Sequence, residues 1–204
     1  MTKYMLQFIE TICFENGDFN NLPLHEERMS RTRNHFFGIL EPFFLKPFLE
    51  IPTQMINHKV KCRLTYGKKI EKIEYELYNI RFIKSLKCVI NETIDYSYKY
   101  ADRKALGALL QMRQHCDEIL IVRNGLITDT TFSNIVFQKE GIWFTPTTPL
   151  LPGTRRADYL NRKLIRCTTI RPDELHLYQE ARLINAMISL EESFPIQIEA
   201  IEIF

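Results

Sequence analysis

The sequence predicts an α+β fold built from two domains, and two observations support this prediction. Segments with the alternation or the β-branched and aromatic residues typical of strands outnumber the helical segments. Layers of strands with a few helices are typical of the α+β class. A polar connector at residues 91–99 separates two such sets of elements, so we expect an N-terminal α+β domain at residues 1–92 and a C-terminal domain at residues 93–204.

The N-terminal part is predicted to contain strands and one long helix. Residues 4–15 are rich in β-branched and aromatic residues, and Asn16-Gly17-Asp18 is a turn signal. Apolar residues recur at helical spacing over residues 24–40, and three prolines then break the chain into short pieces. The next pattern predicts three strands of one antiparallel sheet, at residues 60–67, 69–80 and 86–90.

The C-terminal part begins with a predicted helix over residues 102–115. Asn124-Gly125 and Glu140-Gly141 each mark the turn of a β-hairpin. Two prolines then lead into a second helix over residues 154–165. The remaining expected elements are a short helix at residues 172–175 and strands at residues 182–190 and 196–203.

Composition and charge argue against several classes of function. The net charge of +2 is too small to indicate a nucleic-acid or acidic-membrane partner. The five cysteines are odd in number and show no CxxC spacing, and the histidines are scattered. We therefore expect no disulfide framework, no metal site and a reducing, cytoplasmic environment. The N-terminus lacks a signal-peptide pattern, and no run approaches the roughly 20 apolar residues of a membrane span.

Lys99 is the first candidate functional residue, because it lies just ahead of a predicted amphipathic helix. A lysine in a polar connector is usually only solvated. Tyr96, Tyr98 and Tyr100, however, offer an apolar setting that could lower the pKa of its amine, as a Schiff-base lysine requires. The lysine, with the two segments described next, supplies the parts of a site for pyridoxal phosphate.

Asp129 and Asn134 follow the first predicted hairpin. The aspartate can be a turn or capping residue, or it can face the pyridine nitrogen of the cofactor. Asn134 lies in an apolar strand and must find hydrogen-bond partners there, so it could orient the neighbouring carboxylate or loop.

The turn Gly153-Thr154-Arg155-Arg156 opens the second helix and could bind the cofactor phosphate. A glycine before a helix lets backbone amides face an anion, although an ordinary helix start capped by Thr154 has the same pattern. Arg63 lies inside an apolar strand, where it faces either a substrate carboxylate or solvent.

Taken together, these segments resemble the class IV aminotransferase family, the fold type IV pyridoxal-phosphate enzymes, from about Phe8 to Met187. The segments that carry the resemblance are FIETICFENG with LPLHEER, KYADR, LITDTTFSN and LLPGTRR. The resemblance implies that Lys99 forms the Schiff base, that Arg28 contacts the cofactor phosphate and that Asp129 faces the pyridine nitrogen. It also implies that Thr154 and Arg155 bind the phosphate, with backbone groups near Asn185 and Ala186. A homodimer is implied as well.

The sequence departs from the family pattern at two places. Asp129 stands where the family usually has glutamate, and the segment before the opening strand lacks the usual β-hairpin. Asn185-Ala186 is more similar to the corresponding segment of 4-amino-4-deoxychorismate lyases than to that of branched-chain aminotransferases.

The expected activity is therefore that lyase reaction on a small carboxylate substrate. A branched-chain or D-amino acid transaminase is the alternative. A non-catalytic relative that binds the cofactor is a further one. A nucleic-acid binder that uses the arginines of the first helix is the weakest alternative.

Overall fold

The computed structural model describes residues 6–204 and divides into two units, which are considered separately. The first unit comprises the chain up to Asn79 together with Tyr98–Asp102, and the second comprises Ile80–Ser97 and Arg103–Phe204. The strand predicted from residue 4 begins at Phe8, and residues 4 and 5 lie outside the described residues. None of the helices within residues 6–204 is long and apolar enough to cross a membrane.

The first unit is built on a four-stranded antiparallel sheet. Its strands are β1 Phe8–Glu15, β2 Asp18–Phe19, β3 Val60–Tyr66 and β4 Ile70–Leu77, in the order β2-β1-β3-β4. The turn predicted between β1 and β2 is confirmed, because Asn16 and Gly17 both have positive φ. Short 3-10 turns at Lys46–Phe48 and Thr53–Met55 occupy the predicted proline-rich stretch.

Helix α1 of the first unit, Leu22–Phe37, packs on this sheet. Pro23 stands at its start, where the missing N–H costs nothing. The helix was expected to reach residue 40, but Gly38 adopts a left-handed conformation with φ of 67° and ends it. The core of this unit consists of buried side chains from the sheet, α1 and the segment that follows it: Phe8, Ile12, Met29, Leu45, Cys62, Leu64 and Tyr66.

Two sheets and two α-helices make up the second unit. The helices are α2 Lys104–Leu110 and α3 Thr154–Asn161. The strands are β5 Leu86–Ile90, β6 Glu118–Arg123, β7 Leu126–Ile127, β8 Asn134–Lys139, β9 Ile142–Pro146, β10 Ile165–Thr168, β11 Glu180–Ile184, β12 Ile196–Gln197 and β13 Ile201–Glu202. One sheet has the order β13-β5-β6-β7 and the other β10-β9-β8-β11-β12, and buried side chains of both form one core. These sheets and helices confirm the predicted α+β class.

Both predicted hairpins of the second unit are confirmed. Strands β6 and β7 are joined at Asn124-Gly125, and β8 and β9 at Glu140-Gly141. All four of these turn residues have positive φ, which the mirror-image turns of two-residue hairpins require.

Three sequence-based predictions were wrong about strands. Strand β5 does not join the antiparallel sheet of β3 and β4, because it pairs in parallel with β6 and β13. The strand expected over residues 196–203 divides into β12 and β13, which belong to different sheets. The strand expected over residues 182–190 ends at Ile184, where Asn185 and Ile188 close a turn through reciprocal backbone hydrogen bonds.

The second-unit helices are shorter than expected. Helix α3 ends at Asn161, Lys163 takes a φ of 58°, and β10 follows as a strand parallel to β9. Helix α2 ends at Leu110 and continues as a 3-10 turn over Gln111–Arg113.

The boundaries between the two compact units differ from the expected domain boundary between residues 92 and 93. Ile80–Ser97 falls in the second unit because β5 belongs to a sheet of that unit. Tyr98–Asp102 falls in the first unit because this segment hydrogen-bonds with β1 and with the residue before it. The N–H of Ile9 donates to the carbonyl of Lys99, and the N–H of Ala101 donates to the carbonyl of Gln7.

Candidate functional site

A buried cluster of charged side chains lies between β1 and α1 in the first unit. Glu10 accepts hydrogen bonds from Nε and Nη2 of Arg28, at 2.9 and 2.5 Å, and lies 2.7 Å from Nδ1 of His25. Glu10 and His25 are fully buried and Arg28 is 7% exposed. The bidentate pair aligns the guanidinium plane with the carboxylate, which fixes the direction of Arg28.

The cluster shifts the pKa of both titratable members. Burial alone would raise the pKa of Glu10, but the charge of Arg28 and the hydrogen bonds from His25 and Arg28 outweigh burial and lower it to about 2. Burial lowers the pKa of His25, and the positive charges of Arg28 and Lys99 lower it further. The hydrogen bond and the charge of Glu10 raise the pKa, but they do not outweigh these effects. The cluster therefore contains an ionised Glu10 and a neutral His25 at neutral pH.

Lys99 lies beside this cluster, on the segment bound to β1. Its backbone carbonyl accepts the N–H of Ile9 at 2.9 Å, and its charge is close enough to lower the pKa of His25. The two tyrosines around it pack into the aromatic core, Tyr98 at 4.7 Å from Phe36 and Tyr100 at 5.3 Å from Phe8 between ring centroids. The structure thus brings Lys99, Arg28 and the unpredicted pair Glu10 and His25 into one neighbourhood of the first unit.

Arg63 lies on the other face of the same sheet. It pairs with Thr11 of β1, whereas Glu10 pairs with Leu64. Because side chains alternate across a strand, Arg63 and Thr11 project away from the face that carries Glu10 and Arg28. Its cross-strand neighbour on β4 is Glu74, whose pKa it helps to lower. The structure does not bring Arg63 together with Arg28.

Asp129 is the centre of a second cluster, in the second unit. It follows β7, is 5% exposed, and its two carboxylate oxygens accept hydrogen bonds from Nδ2 of Asn134 at 2.7 Å and from the N–H of Leu151 at 2.9 Å. Burial raises the pKa of Asp129 to about 6, and the two hydrogen bonds only partly oppose this shift. The carboxyl group is therefore poised to exchange a proton near neutral pH.

Asn134 connects Asp129 to the turn before α3. Its amide Nδ2 also donates to the carbonyl of Leu151 at 2.9 Å. Its Oδ1 approaches Gly153 so closely that a Cβ built on Gly153 would lie 2.1 Å from it. Gly153 is therefore required for close packing here, and not for an unusual φ, which is −71°.

The N-terminus of α3 lies directly beyond this glycine. No side chain caps the helix at Gly153, and Thr154 is 4% exposed. The start of a helix concentrates N–H groups and partial positive charge, which suits an anion such as a phosphate. Asp129, Asn134 and Thr154 thus belong to one region of the second unit, as the sequence predicts.

The two arginines at the start of α3 donate hydrogen bonds to backbone carbonyl groups. Arg155 donates from Nη2 to the carbonyl of Ala186 at 3.1 Å and from Nε to that of Asn185 at 3.4 Å. Arg156 is buried and donates to the carbonyl of Pro146 at 2.8 Å and to Oγ1 of Thr145 at 3.2 Å. Arg155 therefore ties the start of α3 to the turn after β11.

The side chain of Asn185 stabilises that same turn. Its Oδ1 accepts the N–H groups of Met187 and Ile188 at 2.8 and 3.0 Å, and its Nδ2 donates to Oγ of Ser133 at 2.8 Å. Asn185 and Ala186 are thus fixed against the loop between Asp129 and the start of β8 at Asn134.

Sequence reasoning missed Glu10 and His25. The signal was present, because Glu10 is the one carboxylate inside the apolar run FIETICF and His25 stands one helical turn before Arg28. A carboxylate in a buried strand requires a charged partner.

Comparisons with known proteins add sequence and fold relationships to this geometry. The model of the family described as amino-transferase class IV matches residues 97–191. An uncharacterised protein of Haemophilus influenzae is 35% identical over 188 residues, which cover 91% of this chain and all of that protein.

Solved structures are similar over almost the full chain. A structure from Haemophilus somnus 129PT, provisionally assigned as a 4-amino-4-deoxychorismate lyase, is 34% identical, covers 92% of this chain and 99% of its own, and superposes with a TM-score of 0.86. A provisionally assigned amino-acid aminotransferase from Mesorhizobium loti is 17% identical, covers 98% of this chain and 100% of its own, and has a TM-score of 0.78, which shows a shared fold.

Proposed function

The chain belongs to the class IV aminotransferase family, a family of pyridoxal-phosphate-dependent enzymes, and we propose that it is a 4-amino-4-deoxychorismate lyase. The observation that carries the proposal is the similarity, along nearly the whole of both chains, to the Haemophilus somnus structure that is provisionally assigned this activity. Asn185-Ala186 after β11, the segment that resembles the lyases, adds support.

Pyridoxal phosphate, when bound, supplies an electron-accepting ring that stabilises negative charge beside the substrate amine. We propose that Nζ of Lys99 holds the cofactor until the substrate amine displaces it, and that the freed amine of Lys99 then takes the proton from the substrate carbon that carries the amino group. The electron pair of that C–H bond becomes part of the new aromatic ring. The bond between the ring carbon and the oxygen of the enolpyruvyl group breaks, and that oxygen leaves with the bonding pair. The released enolpyruvate takes up a proton to give pyruvate, and the ring remains as 4-aminobenzoate.

The chemistry of the second-unit residues fits this cofactor. A buried carboxyl group with a pKa raised to about 6, such as Asp129, can share a proton with a basic ring nitrogen. The uncapped start of α3 suits the phosphate, and Gly153 lets the turn before α3 pack closely against Asn134. We propose that Asn134 orients Asp129, that Thr154 contacts the phosphate and that Arg155 positions the Asn185-Ala186 backbone beside it.

The first-unit residues fit complementary tasks. We propose that Arg28 binds the cofactor phosphate in the direction that the bidentate contact with Glu10 sets. Burial and the charges of Arg28 and Lys99 lower the pKa of His25, so the imidazole stays neutral beside these two cations. The placement of Arg63 on the opposite face of the sheet gives it no part in this proposal.

The proposal is tested with purified protein, pyridoxal phosphate and freshly generated 4-amino-4-deoxychorismate. We expect 4-aminobenzoate and pyruvate in equal amounts without an added keto acid. The variant Lys99→Ala should lose both this turnover and the absorbance of lysine-bound cofactor. Lys69→Ala removes an exposed lysine of the same unit and should change neither.

Two other outcomes would contradict the lyase proposal. Turnover that requires a keto-acid acceptor, measured over a panel of branched-chain and D-amino acid donors, would assign a transaminase. Bound cofactor without turnover on any of these substrates would assign a non-catalytic relative.

We further propose that the protein is a cytoplasmic homodimer, as the family resemblance implies. Light scattering coupled to size-exclusion chromatography should give a mass close to twice 24.3 kDa. Fractionation of cells should place the protein with the cytoplasmic markers.

A further inference from the structure

A cluster of three possible metal ligands lies in the second unit, among residues that the proposed lyase reaction does not use. His115, Cys116 and Glu202 each offer one ligand atom, and these three atoms lie within 4.8 Å of one another. The cluster combines an imidazole nitrogen, a thiol sulfur and a carboxylate oxygen. Nε2 of His115 lies 2.6 Å from Oε1 of Glu202, which is the contact that a shared cation would replace.

The fold brings these residues together from distant parts of the sequence. Strand β13 pairs in parallel with β5, which sets Glu202 opposite Lys87 at the edge of the sheet. The chain segment before β6 turns there, and Gln114, immediately before His115, adopts a φ of 55° and a ψ of −119°. This is a strained conformation for a residue with a side chain, and strain of this kind is often retained where the local geometry serves a purpose.

The surroundings of the cluster hold its members in place. The hydroxyl of Ser85 hydrogen-bonds with Cys116 and also accepts the N–H of Asp117 at 3.1 Å. Nζ of Lys87 lies 3.5 Å from Oε2 of Glu202, which is the oxygen that does not contact His115. Contacts of this kind orient the ligands of protein metal sites.

The two sides of the cluster differ in exposure. Cys116 is 3% exposed, whereas the side chain of His115 is 74% exposed. An ion could therefore enter from solvent past the imidazole and reach a thiol that is shielded from it.

We propose that His115, Cys116 and Glu202 bind one divalent transition-metal ion of the zinc class and thereby fasten β13 to the turn before β6. Nitrogen and sulfur ligands select zinc or cobalt over magnesium or calcium, and three protein ligands leave the fourth tetrahedral position to water. The S–H bond of Cys116 breaks as the sulfur–metal bond forms, and the proton leaves to buffer. The thiolate and the carboxylate then balance the two charges of the ion.

The test uses the full-length protein after dialysis against a chelator, titrated with zinc chloride and, separately, with cobalt chloride. We expect one ion per chain, a thiolate-to-cobalt absorption band and a rise in Tm with zinc. Each of His115→Gln, Cys116→Ser and Glu202→Gln should weaken binding by at least about 10-fold. Cys167→Ser and His176→Gln, which alter an exposed cysteine and an exposed histidine elsewhere in the unit, should bind as tightly as the parent protein.

Each alternative result has a definite meaning. The proposal is overturned if neither metal binds, or if Cys167→Ser abolishes binding while Cys116→Ser retains it. Cys116 is buried, so its substitution can impair folding for reasons unrelated to metal. His115→Gln alters an exposed residue, and unchanged metal affinity in this variant would therefore also overturn the proposal. None of these measurements depends on pyridoxal phosphate or on lyase activity, so the site and the proposed function can fail independently.

Discussion

Nδ2 of Asn134 donates a hydrogen bond of 2.7 Å to Oδ1 of Asp129, while Oδ1 of the same amide abuts Gly153. One side chain thus connects the carboxylate proposed to face the cofactor ring with the turn proposed to hold its phosphate. The two ends of the proposed cofactor site in the second unit are therefore coupled through Asn134.

The substitution Gly153→Ala should disrupt this coupling. The added methyl group would lie 2.1 Å from Oδ1 of Asn134, so either the amide or the turn must move. Overpacking of this kind costs about 1–3 kcal/mol. We expect weaker binding of pyridoxal phosphate, measured by fluorescence titration, and a lower Tm.

Two further variants make that prediction specific. Gly107→Ala adds a methyl group on α2 where nothing lies within 4 Å, so it should leave cofactor binding unchanged. The double variant Gly153→Ala with Asn134→Ala should lose less affinity than the sum of the two single variants, because Asn134→Ala removes the amide oxygen that the methyl group of Gly153→Ala would strike. Additive losses would show that the two residues are not coupled.

Asp129 should make the protein less stable as pH rises through the acidic range. Its pKa of about 6 in the folded protein is higher than the roughly 3.9 of an unfolded aspartate, so the folded state binds more protons between these values. The stability of the cofactor-free protein relative to Asp129→Asn should therefore fall by roughly 2–3 kcal/mol between about pH 3 and about pH 7, through the folded pKa, and level off above. Urea denaturation at several pH values measures this difference, and a difference independent of pH would contradict the assignment.

Glu10→Gln should strongly destabilise the first unit. The substitution leaves the charge of Arg28 buried without its carboxylate partner, a change that costs about 3–5 kcal/mol. Because the folded pKa of Glu10 is about 2, its contribution is fully present above the unfolded value and is lost as pH falls toward 2. Thermal denaturation at pH 7 measures the loss.

Glu76→Gln provides the comparison for Glu10. Glu76 on β4 also pairs with a cation, Lys61, but its side chain is 63% exposed. Exposed pairs contribute about 0–1 kcal/mol, so this variant should resemble the parent protein. Equal losses for the two variants would mean that burial does not set the strength of the Glu10 cluster.

Arg155→Ala should weaken cofactor binding more than it lowers stability. The guanidinium holds the carbonyls of Asn185 and Ala186, and its loss frees the turn proposed to lie beside the phosphate. A loss of about 1–3 kcal/mol in binding free energy is expected from hydrogen bonds to a charged group. Arg162→Ala, at the exposed end of the same helix, should not change the affinity.

The sequence predicted local features well where a short stretch decides the conformation. Asn124-Gly125 forms its hairpin because both residues accept positive φ, whatever surrounds them. Pro23 and Gly38 likewise begin and end α1 through their own backbone preferences.

Strand pairing could not be predicted in the same way. Strand β5 has the same apolar pattern as the neighbouring strands. This pattern does not indicate whether β5 pairs with β4 or with β6. The pairing with β6 and β13 depends on residues more than 25 positions away in the sequence, and it decides to which unit the segment belongs.

Residue types and motif spacing are properties of the chain, and they were enough to predict the family, the α+β class and candidates such as Lys99, Arg28 and Asp129. The folded chain was needed to show which side chains contact one another and which candidates the sequence missed: Glu10 lies against Arg28, Asn134 between Asp129 and Gly153, and Glu202 beside Cys116. The reason is physical. Hydrogen bonds and charge interactions act over a few ångströms in space, and sequence separation carries no information about that distance until the strands have paired.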